Sequence, residues 1–131
     1  MNRACRESAM QTVLIIDDDL FVLSLVTDIV QSAGYRAVTV QSPEAAFEQD
    51  LGAISAILCD YNMPGMNGAD VLIAMRELKE CHAPFIFLTG HEQLDDLIPV
   101  AIRYGAELLP KPIHPVELIR LLMKQLANVA A

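Results

Sequence analysis

The apolar positions of the chain fall into short runs that alternate between two periods. Thr12 to Ile16 (TVLII) is a β-branched run of the kind that forms a strand buried on both faces. From Leu20 to Ala33 the spacing turns helical, with Val22, Leu25, Val26, Ile29 and Ala33 on the predicted inner face, and Gly34 placed to close the helix as a left-handed cap. Arg36 to Val40 (RAVTV) reads as a second strand. Ser42-Pro43 opens a helix: the serine caps it, the proline takes the first position, and Ala45, Ala46 and Phe47 follow. Ala53 to Cys59 (AISAILC) is the most apolar run and the third predicted strand; it leads into Asp60 and a loop, YNMPGMNG, dense in Gly, Pro and Asn. A helix is expected from about Gly68 to Lys79, with Leu72, Met75 and Leu78 on one face. Pro84 to Leu88 (PFIFL) is the fourth strand, and Leu94 to Tyr104 a fourth helix built on Leu94, Leu97, Ile98, Ala101 and Ile102. Pro99 lacks a backbone donor and crowds the preceding turn, so it should delay the start of this helix or distort it. Gly105 ends the helix, Glu107 to Leu109 is a brief fifth strand, and Pro115 to Ala127 forms the last helix with Ile119, Leu122, Met123 and Leu126 inward.

Alternating strands and helices of this kind, with apolar strands and no repeat or linker, predict an α/β fold: a parallel sheet covered by helices on both faces, joined by right-handed crossovers. At 131 residues the chain suits one domain with a single real core, expected over residues 11–131. Residues 1–10 (MNRACRESAM) read as a short leader; they lack the apolar stretch of a secretory signal.

Composition narrows the class. The chain is 53% hydrophobic and 20% charged, the opposite of a disordered segment, yet no apolar run reaches the roughly 18 residues of a membrane helix. A net charge of −8 without a basic patch argues against direct nucleic-acid binding. Cys5, Cys59 and Cys81 are odd in number and widely spaced, which fits a reducing cytoplasm rather than a disulfide framework. His82, His91 and His114 show no metal-ligand spacing with them, so no zinc site is expected.

The polar residues carry the chemistry. Asp17-Asp18-Asp19 follows the first strand, Asp60 the third, Thr89 the fourth and Lys111 the fifth. In an open parallel sheet, ligands bind past the carboxyl ends of the strands, where the strand order reverses. For the order 2-1-3-4-5 that point lies between strands one and three, the two that supply the acids. Clustered carboxylates repel unless a proton or a cation relieves them, and hard oxygen ligands suit Mg²⁺, with Mn²⁺ as a substitute. A carboxylate can also attack phosphorus. Lys111 would supply a positive charge and Thr89 a hydroxyl donor, the kind of positioning that phosphoryl transfer needs.

VLIIDDD, ILCDYNMPGMNG, FIFLTG and LPKPI, in that order and at strand ends, resemble the receiver domain of bacterial two-component response regulators, chemotaxis-regulator-like, over about Gln11 to Ala127. The resemblance implies a flavodoxin-like (βα)5 fold. It implies a signalling receiver rather than a metabolic enzyme, with self-catalysed phosphotransfer and autodephosphorylation. Its phosphoryl donor would be a sensor histidine kinase or a histidine phosphotransfer protein, and it would signal to a downstream protein. By the same resemblance Asp60 is the phosphoacceptor. Asp17 and Asp18 are the acidic pair that holds Mg²⁺ with Asp60 and the backbone carbonyl of Asn62. Thr89 is the switch hydroxyl, Lys111 the phosphoryl-binding lysine, and Lys111-Pro112 a cis bond. The family often pairs through its fourth-helix, fifth-strand, fifth-helix face, which makes a homodimer an open expectation. One departure stands out: the family often has an aromatic residue three before the lysine, and here that residue is Leu108. His91, two beyond Thr89, falls where the family tunes phosphoryl lifetime.

Plainer roles are read for several neighbours. Asp19 is read as a helix cap rather than a third metal ligand, Cys59 as core rather than redox-active, His114 as a helix-start residue, and Met63 and Met66 as packing or cover. Two other functions compete: a docking-only receiver, against which the intact site set argues, and an aspartyl-phosphate phosphatase, for which the chain has no room for a large substrate cap.

Overall fold

A computed structural model describes residues 10–130, without the side chains of residues 128–130. The expected leader therefore lies outside the described residues except for Met10. The five strands are β1 (Thr12–Ile16), β2 (Arg36–Val40), β3 (Ala56–Asp60), β4 (Phe85–Thr89) and β5 (Glu107–Pro110). They form one parallel sheet in the order β2-β1-β3-β4-β5. The helices are α1 (Leu20–Ser32), α2 (Pro43–Phe47), α3 (Gly68–Glu77), α4 (Leu94–Tyr104) and α5 (Pro115–Ala130).

The period of two along each strand divides the core. Val13, Ile15, Ala56, Leu58, Ile86 and Leu88 face α1 and α5, whereas Leu14, Ile16, Ile57, Cys59, Phe85 and Phe87 face α2, α3 and α4. Full burial of such a side chain contributes about 1.5–3 kcal/mol, so the two-sided sheet is the main source of stability. Cys59 lies in the second layer, on the core face expected for it.

Local signals set the helix ends. Asp19 caps α1, its Oδ1 accepting from Phe21 N at 2.9 Å and Val22 N at 3.4 Å. At the other end Gly34 has φ +95°, and the amides of Gly34 and Tyr35 return to the carbonyls of Gln31 and Val30, so the glycine cap forms as expected. Ser42 caps α2 through Ala45 N, with Pro43 in the first turn. Asn67 and Asp70 cap α3 reciprocally. The amide of Leu118 donates to the carbonyl of His114, so His114 starts α5 as read.

Several expectations need correction. β3 begins at Ala56, because Leu51–Ala53 coil into a 3₁₀ turn, and it includes Asp60; β4 is likewise one residue later and includes Thr89. Asp60 and Thr89 thus close their strands. α3 stops at Glu77, which leaves Leu78 78% exposed. α1 turns Leu23, Val26, Ile29 and Val30 inward, while Leu25 faces solvent. α5 buries Leu118 and Leu122 but not Met123, and α4 buries only Leu97 and Ala101 of the five residues named for it. These helices are apolar around more than one face, and packing chooses among the alternatives. α4 neither starts late nor breaks at Pro99. Pro99 and Asp95 are both exposed, so water can satisfy the Asp95 carbonyl that the proline leaves without a donor.

Candidate functional site

The fold gathers the acidic residues where the strand order reverses. Carboxylate oxygens of Asp17, Asp18 and Asp60 all lie within 4.8 Å of one another, the grouping of possible metal ligands found among the described residues. Asp17 leaves the end of β1, its amide tied to the Val40 carbonyl at 3.2 Å, and Asp60 closes β3 beside it. Asp17 and Asp60 are buried, whereas Asp18 is exposed. Lys111 reaches in from the turn after β5; its Nζ donates to Asp60 Oδ1 at 2.8 Å and stands 3.9 Å from Asp17 Oδ2. The Lys111-Pro112 peptide is cis.

Asp17 is held on one side only. Its Oδ1 accepts from Asp19 N at 2.9 Å, but its Oδ2 is buried without a hydrogen-bond partner. Burial pushes the Asp17 carboxyl up to about 6; the Asp19 amide and the Lys111 charge oppose the rise, and the charges of Asp60 and Asp18 add to it. Burial also raises Asp60, with the Lys111 hydrogen bond and charge pulling the other way. Burial alone would lower Lys111, but the hydrogen bond and charge of Asp60, with Asp17 and Asp19 behind them, hold its ammonium above the ordinary lysine value. One partly exposed cation thus serves three carboxylates. A buried carboxylate oxygen with no partner is costly, and a hard dication would relieve it. All three donors are carboxylate oxygens, the set that fits Mg²⁺ or Mn²⁺. Asn62 lies in the loop that leaves Asp60, and Met63 and Met66 of that loop pack against the second core layer as expected.

Thr89 is 1% exposed, and its hydroxyl faces Gly90 O at 3.0 Å and Gln93 Oε1 at 3.4 Å rather than the acids. Of the residues read from the sequence, the structure therefore brings Asp17, Asp18, Asp60 and Lys111 into one cluster and leaves the Thr89 hydroxyl turned toward the start of α4. Asp19 acts as the cap and takes no place in the cluster. Two residues of the surroundings were missed. Gln93 is one. Gly68 is the other: a Cβ there would lie 2.8 Å from the Asp60 carbonyl and 2.9 Å from Tyr61 Cα, so only glycine lets α3 start against the end of β3. The signal available was a glycine next to a capping asparagine at the end of the loop that follows Asp60. Cys59 is buried beside Asp60; burial and then the Asp60 and Asp17 charges raise its thiol well above its usual value, which keeps it an inert thiol.

A cleft of about 680 Å³ lies at the amino ends of β3 and β4, away from these groups. The acidic cluster lies at the opposite, carboxyl end of the strands. The family model of the response regulator receiver domain matches residues 13–123. The chain belongs to that family. This receiver is 31% identical over 112 residues to the transcriptional regulatory protein CpxR of Escherichia coli K12, an alignment covering 84% of the chain and 47% of CpxR. It is 36% identical over 110 residues to the response regulator protein TmoT of Ectopseudomonas mendocina, covering 82% and 49%. The receiver spans about half the length of these two relatives. Among solved structures, a response regulator receiver domain protein from Clostridium thermocellum superposes with a TM-score of 0.83 at 26% identity, covering 92% of this chain and 98% of that one. The Vibrio cholerae chemotaxis protein CheY4 gives 0.75 at 28% identity, covering 89% and 99%. The flavodoxin-like fold and the membership of two-component response regulators both follow. Among the described residues no helix is long and apolar enough to cross a membrane.

Proposed function

We propose that this receiver takes a phosphoryl group onto Asp60 from a phosphohistidine of a sensor histidine kinase or phosphotransfer protein and signals the change to a protein partner. The observation that carries the reading is the cluster of Asp17, Asp18 and Asp60 with Lys111 2.8 Å from the acceptor carboxylate. Asp17, Asp18 and Asp60, with the Asn62 carbonyl, would hold Mg²⁺. Bound there, the ion supplies positive charge to the carboxylates and to the incoming phosphoryl oxygens.

Asp60 has the geometry of a nucleophile. Its side chain is buried enough to be poorly hydrated, and Lys111 orients one oxygen. A carboxylate oxygen of Asp60 attacks phosphorus and the P–N bond of the phosphohistidine breaks. The bonding pair leaves on the imidazole, and Asp60 becomes an acyl phosphate. Lys111 then moves its hydrogen bond from the carboxylate to a phosphoryl oxygen, and the Thr89 hydroxyl turns to donate to another. Water later returns Asp60 to a carboxylate and releases phosphate. A docking-only role would leave the unpartnered Asp17 oxygen without a purpose, whereas a cation-dependent transfer gives it one. The buried, free Cys59 and Cys81 agree with a cytoplasmic place of action.

Acetyl phosphate with Mg²⁺ should add one phosphoryl group to the wild type, read by intact mass, and none to Asp60→Asn. Equal labelling of the variant would remove Asp60 from this role.

A further inference from the structure

The Thr89 hydroxyl has a single proton, and its two acceptors both lie toward α4. One is the Gly90 carbonyl; the other is the side chain of Gln93, the last residue before α4. The orientation of that amide follows from its neighbour: Gln93 Nε2 donates to the Glu92 carboxylate at 3.2 Å, which leaves Oε1 facing Thr89. The backbone N–H of Gln93 also donates to the Gly90 carbonyl at 3.3 Å, so Thr89, Gly90 and Gln93 close one small hydrogen-bonded loop.

Leu97 is buried in the first turn of α4, and a 3₁₀ turn, His91–Gln93, leads into it. No side chain caps it, and Pro99 withdraws one backbone hydrogen bond from its middle. The far end is better tied: Gly105 forms a left-handed cap, and the Tyr104 hydroxyl donates to the Glu77 carboxylate on α3. Leu108, half-buried on the same layer, carries no polar group that could report on Thr89.

We infer that Gln93 is a positioning residue for the phosphoacceptor site: its Oε1 holds the Thr89 hydroxyl away from Asp60 in the resting protein and gives it up when Asp60 is phosphorylated. The inference rests on the phosphoacceptor reading above. A phosphoryl oxygen carries charge and accepts more strongly than a neutral amide or carbonyl oxygen, so it wins the single proton. Gln93 then loses its partner and the amino-terminal turn of α4 is released, while its carboxyl-terminal end stays pinned. The Thr89–Gln93 contact is long, so the restraint is weak and the equilibrium stays within reach of one phosphoryl group.

The test is a titration of the full chain with acetyl phosphate and Mg²⁺, reading the phosphorylated fraction at steady state. Gln93→Met keeps the length and removes the acceptor; it should lower the half-saturating acetyl phosphate roughly two- to four-fold, the range for one weak hydrogen bond. Gln93→Glu keeps an acceptor and should stay at or above the wild-type value. In a Thr89→Ala background the Gln93→Met effect should vanish, which a purely structural role for Gln93 would not produce. An unchanged Gln93→Met, a Gln93→Glu that behaves like it, or an equal shift without Thr89 overturns the inference while the labelled wild type keeps the phosphoacceptor reading. A wild type that takes no phosphoryl group overturns that reading and this inference with it.

Discussion

Asp17 and Asp60 differ in what their second oxygens have found. Asp60 has Lys111; Asp17 Oδ2 has no hydrogen-bond partner, with that same ammonium at 3.9 Å. A proton can fill the gap at Asp17 where a cation does not, and burial has already moved its carboxyl to about 6. On the proposed reading, proton and Mg²⁺ would therefore compete for one oxygen. Above about pH 6 Asp17 is ionised and open to the ion; below it each pH unit should weaken Mg²⁺ binding by up to about tenfold as the proton takes the site. Isothermal titration from pH 5 to 8 would show this as a break near 6 in the plot of log affinity against pH. A flat plot would mean that Asp17 does not contribute a ligand oxygen. Asp18 is exposed and close to the other two acids, so Asp18→Ala should remove affinity without removing the break.

At the scale of the elements, α1 shows where pattern reading succeeds and where it stops. Leu20, Phe21, Val22, Leu23, Leu25, Val26, Ile29 and Val30 cover most of the circumference of the helix, so a 3.6-residue period fits more than one inner face. The structure selects Leu23, Val26, Ile29 and Val30. Leu23→Ala should then cost about 2–5 kcal/mol in denaturant unfolding, as a truncation in a packed core does, and Leu25→Ala less than about 1 kcal/mol. The reverse order would return the helix to the face read from sequence. The same reason separates the rest of what was legible from what was not. Strands β1 and β2 were readable to the residue, because β-branched runs between Gly, Pro and Asp have no helical alternative. The caps at Asp19, Gly34 and Ser42 were readable because their chemistry is local. The acidic cluster and Lys111 were legible too, since strand ends in a parallel sheet converge on one edge. The start of β3, the end of α3 and the inner faces of α1, α4 and α5 were not, because tertiary packing decides them. Gly68 and Gln93 were missed for a related reason: each matters through one contact to a residue distant in space or in role, and one contact leaves no periodicity.

The whole molecule carries a net charge of −8 and yet buries carboxylates at the end of its sheet, so part of its stability is given up to keep the site charged. The sign can be worked out for Asp17. Its folded value of about 6 exceeds the ordinary 3.8. Below 3.8 folded and unfolded chains both hold the proton, and the group contributes its full share. As pH rises the unfolded chain sheds the proton first, the folded chain binds more protons than the unfolded one, and stability falls until the folded group has titrated near 6. The loss above that point is on the order of 3 kcal/mol for this one group, and the raised Asp60 pushes in the same direction. On the proposed reading Mg²⁺ would bind only the folded arrangement, so it should return stability at pH 7.5 and add little at pH 5, where the proton already occupies Asp17. Asp17→Asn should copy the proton: its side chain removes the buried charge, can still accept from the Asp19 amide, and presents a donor toward Asp60. In urea melts without Mg²⁺ at pH 7.5 the variant should be more stable than the wild type, and it should gain almost nothing from added Mg²⁺. A variant less stable than the wild type under those conditions would show that the Asp17 charge is satisfied in the resting fold, and the pull toward a cation would then have to come from Asp18 and Asp60 alone.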